Sequence, residues 1–137
     1  MLPVMSRDAA ITTIRFGLGP RPGEMAAASR DPRGWLLAQV GSVPPPPQPL
    51  AAAAPDAAAA LETTFVQQRT QPDPNPVQVA YRGFVAELVG YLATTETPFL
   101  ERWALFWANH LTVSLRGGNT GALVGDYYLN VVRAHAL

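Results

Sequence analysis

Pro98-Phe-Leu-Glu-Arg-Trp-Ala-Leu-Phe-Trp-Ala-Asn-His-Leu-Thr-Val-Ser114 is the stretch whose reading decides the fold. It places two Trp, two Phe, one Arg, one Asn and one of the chain's two His within about five helical turns. Thr97-Pro98 supplies an N-cap followed by Pro at the first helical position, a strong start signal. Residues three and four apart share a helix face. Phe99, Trp103, Phe106, Trp107, His110, Val113 and Ser114 therefore form one broad stripe, widened by Leu100, Ala104 and Leu111. Glu101, Leu105, Asn109 and Thr112 fall toward the other side. The pattern predicts a core helix, since burying each large aromatic contributes about 1.5–3 kcal/mol. His110 would be a core imidazole bonded to a backbone carbonyl.

The same signals recur on both sides of this stretch. Ser6 and Asp8 open a helix from about Arg7 to Phe16, which Gly17 stops. Gly17-Leu-Gly-Pro-Arg-Pro-Gly23 is a turn, and Met25 to Ser29 fits a short helix. Asp31-Pro32 starts a helix that runs to Val40. Residues 43–56 carry a four-Pro and a four-Ala run and predict a Pro/Ala-rich linker or surface excursion. Asp56 caps a helix to about Arg69, and residues 71–76 form a Pro-rich break. From Val77 to Thr94, Val77, Ala80, Tyr81, Phe84, Leu88, Tyr91 and Leu92 make one apolar stripe. Gly117-Gly-Asn-Thr-Gly121 is a helix connection, and a last helix begins near Ala122. No segment alternates as a strand would. The fold class is all-α, an irregular multi-helix bundle, with residues 1–137 forming one helical unit.

Composition narrows the function classes. Ten Arg balance ten acids, with no Lys, so there is no electrostatic case for nucleic acid or an anionic membrane. The absence of Cys excludes disulfides and thiolate metal sites. Met1-Leu-Pro-Val-Met-Ser-Arg-Asp8 lacks a signal-peptide pattern, and no window suits a transmembrane helix. The default compartment is therefore the cytoplasm.

Chemistry concentrates on the aromatic helix. His110, Asn109, Arg102 and Glu101 are the candidate catalytic residues, and His110 is the candidate metal ligand. A metal needs further ligands, and His135 is the only other His. No His-x-x-x-His or Glu-x-x-His spacing exists, so neither a metal nor a cofactor is expected. Gly17 to Gly23 lacks the Lys of a P-loop and the spacing of a dinucleotide fingerprint.

Two motifs together point to a family. Arg15-Phe-Gly-Leu-Gly-Pro20 with Arg21-Pro-Gly-Glu24 is one, and Glu101-Arg-Trp-Ala-Leu-Phe-Trp-Ala-Asn-His-Leu-Thr-Val-Ser114 is the other. Trp35-Leu36 and Arg133-Ala-His-Ala-Leu137 fall in matching order. The chain resembles the N-terminal part of bacterial proteins carrying the domain of unknown function 1800. The resemblance implies a longer domain that continues past Leu137, and relatives that often look exported. It carries no agreed activity. Many relatives have His-Asn-His where this chain has Ala108-Asn109-His110, which puts a paired-His function in doubt here.

Two functional expectations stay open. One is a helical binding, assembly or structural module without a complete active site, which self-associates or meets a protein partner through apolar helix faces. The other is the N-terminal part of an enzyme or metal-binding protein whose site needs residues beyond Leu137.

Overall fold

A computed structural model describes residues 6–41, 43–70, 73–116 and 118–137. Most of the Met1–Asp8 stretch, the start of the 71–76 break and Gly117 of the Gly-rich connection lie outside them. The described residues form eight α-helices and no strand. These are α1 (Arg7–Ile11), α2 (Glu24–Arg30), α3 (Pro32–Leu37), α4 (Gln48–Ala52), α5 (Ala57–Thr70), α6 (Pro76–Thr94), α7 (Pro98–His110) and α8 (Thr120–Asp126). Wider π-helical turns extend α1 through Thr12–Phe16 and α8 through Tyr127–Val132, and a 3-10 turn, Arg133–His135, follows the latter. No helix is long and apolar enough to cross a membrane among the described residues.

Ser6, Asp31 and Asp56 cap their helices as predicted, whereas the Thr97 side chain makes no cap bond to α7. The amide of Ala9 donates to Ser6 Oγ, and that of Gly34 to Asp31 Oδ1 at 2.9 Å. Ala58 and Ala59 both donate to Asp56 Oδ1 at 3.0 Å. These bonds satisfy donors that the first helical turn leaves open. At α7 the capping acceptor comes from far away: the amide of Phe99 donates to Oε1 of Gln39, a buried residue, at 2.9 Å. That bond fixes the end of the α3 region against the start of α7.

The core is built from Leu50, Phe84, Leu100, Ala104, Tyr128, Leu129 and small residues between them. Its centre is the packing of α6 on α8. Val77, Tyr81, Phe84, Leu88, Tyr91 and Leu92 turn inward from α6, while Arg82, Glu87 and also Ala80 face solvent. Gly121 and Gly125 allow the close approach. A Cβ on Gly125 would sit 2.7 Å from Ala54 Cβ and 3.0 Å from both Ala54 Cα and Phe84 Cδ2. One on Gly121 would meet Val77 Cγ1 at 2.7 Å.

The Pro/Ala-rich stretch lies between α3 and α5, holds a helix of its own and contributes to the core. Pro47 keeps extended backbone, with φ −62° and ψ 151°. The chain then turns into α4, whose Leu50 is 1% exposed and packs in the core. A Pro run ends where Gln48 begins, and Pro49 fits a first helical turn, where no amide donor is needed.

The face assignment of α7 is corrected by the structure. Its buried residues are Pro98, Leu100, Glu101 and Ala104, with Leu105 and Ala108 partly covered. Phe106 is 43% exposed and Trp107 37% exposed. The helix packs through Leu100, Ala104 and Ala108, with Trp103 partly buried against the core and Phe99 half-buried, and carries Phe106 and Trp107 outward. It also stops at His110, short of the predicted Ser114. Tyr127 donates to the carbonyl of Leu111 at 2.6 Å and satisfies that end from outside the helix.

Candidate functional site

Glu101 and Arg102 are neighbours in sequence and point to opposite sides of α7. Glu101 is 0% exposed and forms an ion pair with Arg133, itself 2% exposed. Arg133 Nη2 donates to Glu101 Oε1 at 2.8 Å, and Nε reaches Oε1 and Oε2 at 3.0 and 3.1 Å. The Tyr91 hydroxyl donates to Glu101 Oε1 at 2.9 Å and accepts from Arg133 Nη2 at 3.2 Å. Arg133 Nη1 donates to the carbonyl of Pro44 at 2.8 Å. One network thus joins α6, α7, the Pro run and the chain's last turns. A buried charge is tolerated where it is paired and its remaining donors are satisfied, and both conditions hold here.

The electrostatics follow from that geometry. Burial by itself would lower the Arg133 pKa, yet the hydrogen bonds and charge of Glu101 outweigh it and hold the guanidinium above its ordinary value. Tyr128 lies in the same core, and its hydroxyl has no hydrogen-bond partner among the described residues. Burial first, then the Glu101 carboxylate, push this phenol above the usual tyrosine range.

The other candidates lie on the outside. Arg102 Nη1 donates to the carbonyl of Gly17 at 3.0 Å. This contact ties the aromatic helix to the Arg15-Phe-Gly-Leu-Gly-Pro20 turn. That turn needs its glycines: a Cβ on Gly17 would lie 2.7 Å from the Thr13 carbonyl oxygen, and Gly19 has φ +100°. Gly19 in turn donates to that same carbonyl at 3.2 Å. Asn109 and Arg102 line one surface hollow of about 640 Å³ with Leu18, Leu105, Phe106 and Ala108.

His110 is exposed, so the expected burial is corrected, while the expected backbone bond is present. Its Nδ1 lies 2.8 Å from the carbonyl oxygen of Phe106. A carbonyl only accepts, so Nδ1 carries a proton in this bond. The ring rests on Phe106, with centroids 4.1 Å apart, and edge-on to Trp107. Trp103 and Phe106 stack at 4.9 Å with planes 2° apart, and Trp107 meets both edge to face. Among the described residues no three His, Asp or Glu side chains come together as a metal-ligand set.

The structure therefore brings Arg102 and Asn109 to one hollow, sets His110 in the aromatic cluster and removes Glu101 to the core. Arg133 and Tyr91 are partners that the sequence reading did not assign to Glu101. The available signal was that Glu101 and Arg133 both lie in stretches matched to the same family pattern.

No curated protein and no solved structure matches the chain. The model of a family described as "Protein of unknown function (DUF1800)" matches residues 11–137, which take in the glycine turn, the aromatic helix and Arg133. The chain belongs to the DUF1800 family.

Proposed function

We propose that this helical domain is a binding and assembly module, with the outer face of α7 as its contact surface. The observation that carries the proposal is the exposed aromatic cluster. Phe106 and Trp107 remain 43% and 37% exposed while Leu100 and Ala104 of the same helix fill the core, with Trp103 partly buried against it. Leu111, 52% exposed, extends the apolar surface past the helix end. Exposed contiguous apolar surface marks interaction sites, and Trp is the residue most enriched at energetic centres of interfaces. The rings already brace one another, so little side-chain freedom is lost when a partner covers them. Zero formal net charge means that no long-range repulsion keeps two copies apart. The first occupant is therefore another copy of this chain.

A catalytic reading has less support. Its acid, Glu101, is engaged by Arg133 and turned away from Arg102, Asn109 and His110.

Sedimentation velocity across the micromolar range tests the proposal. The wild-type chain should associate reversibly, and Trp107→Glu should weaken association by about 2 kcal/mol or more, some thirtyfold in Kd. Trp107 lies outside the hydrophobic core cluster, so the variant's thermal unfolding should stay close to wild type. A wild-type chain that is monomeric at about 100 μM would overturn the assembly reading, since a Kd of that order is already weak for a specific contact.

A further inference from the structure

A second feature of the surface lies where the end of the first helical segment meets α7. A cavity of about 360 Å³ opens there, lined by Arg15, Phe16, Phe99, Arg102, Trp103 and Phe106. Four of its six lining residues are aromatic. The other two are guanidinium cations, and no acid lines it.

Among the described residues, neither cation has an acidic partner. Glu101, the acid adjacent to Arg102, is committed to Arg133 in the core. Among the described residues, the Arg102 side chain makes one hydrogen bond, from Nη1 to the Gly17 carbonyl, and no ion pair. That bond orients the guanidinium and uses one of its five N–H donors. The Arg15 side chain makes no hydrogen bond or ion pair to the described residues. The chain as a whole is neutral, so this pairing of two unmatched cations with aromatic walls is a local feature.

The chemistry selects its ligand. Aromatic walls take an apolar body, and guanidinium groups pair best with planar oxyanions, held by two parallel N–H donors. The volume is in the range of small-molecule sites. We propose that this cavity binds a small organic carboxylate with an aromatic or branched aliphatic body. Arg102 is the positioned carboxylate partner, Arg15 the second cation, and Phe16, Phe99, Trp103 and Phe106 enclose the apolar part. The proposal goes beyond the assembly reading. Phe106 belongs to both surfaces, whereas Trp107 does not line the cavity, so ligand binding should persist in Trp107→Glu.

The test is isothermal titration of the full chain at low salt with 3-phenylpropionate, set against its neutral amide, 3-phenylpropionamide. The acid should bind at least about tenfold tighter than the amide, the scale of one charge-assisted hydrogen bond. Arg15→Gln and Arg102→Gln should each weaken the acid by about fivefold or more and leave the amide unchanged. Arg102→Gln also removes the Gly17 contact, so Arg15→Gln, which breaks no such contact, is the deciding variant. Equal affinity for acid and amide, no heat from the acid up to about 10 mM, or wild-type affinity in Arg15→Gln would each overturn the proposal.

Discussion

Removing Glu101 should cost this domain far more than removing any other acid. In Glu101→Ala, Arg133 stays 2% exposed and loses the partner of three of its hydrogen bonds. Its pKa is already held above the ordinary arginine value by Glu101. Even without that help, a guanidinium does not lose its proton in the neutral range, so the charge cannot be discharged. Breaking one side of a buried pair costs about 3–5 kcal/mol, a large part of the 5–15 kcal/mol that separates folded from unfolded domains. Arg133→Met strands the Glu101 carboxylate, 0% exposed, in the same way and should cost a comparable amount. The double variant Glu101→Leu/Arg133→Met still strands the Pro44 carbonyl and the Tyr91 hydroxyl, at about 1 kcal/mol each. It should nonetheless lose at least about 2 kcal/mol less than the two single losses added together. Urea unfolding followed by tryptophan fluorescence measures all three variants. A loss below about 1 kcal/mol in Glu101→Ala, or simple additivity in the double variant, would refute the reasoning.

Tyr128→Phe removes a buried hydroxyl without a partner among the described residues, and should match or exceed wild-type stability by up to about 1 kcal/mol in urea. A clear loss would mean that a buried water serves that group. The same residue sets an alkaline limit. The folded Tyr128 pKa is raised, so its contribution is complete below the unfolded value of about 10 and is lost as pH climbs through the folded one. Thermal melts should show stability falling above about pH 10, less steeply in Tyr128→Phe. Gly125→Ala should cost about 1–2 kcal/mol, because the overpacking against Ala54 and Phe84 exceeds the gain in helix propensity. Gly83→Ala, whose Cβ would meet nothing within 4 Å, should instead gain about 0.5–1 kcal/mol in the same melts.

The helices were legible because their starts are local. Ser6, Asp31 and Asp56 each cap amides within three residues of themselves, so a short window of sequence holds the whole interaction. The faces of α7 were not. Hydrophobic periodicity places large aromatics inside and charges outside. That rule fails where a charge has a buried partner, and Arg133 lies 32 residues from Glu101 in the chain. Ala104 and Ala108 carry little hydrophobic weight, yet their small size lets α7 pack closely against the core. Leu50 was hidden in the same way, by a run of Pro and Ala that gives no periodic signal although one side chain of α4 enters the core. The candidate site was legible as a cluster of residue types, whereas the direction of each side chain depended on contacts between distant segments.

Residue-level hydroxyl-radical footprinting of Phe106 and Trp107 bears most directly on the claim that α7 turns Glu101 inward and Phe106 and Trp107 outward for contact. In dilute monomer both rings should be oxidised readily, and both should become protected as the concentration rises and copies associate. Protection at every concentration would mean that the rings are core residues after all. Full reactivity in the associated state would mean that assembly uses another surface.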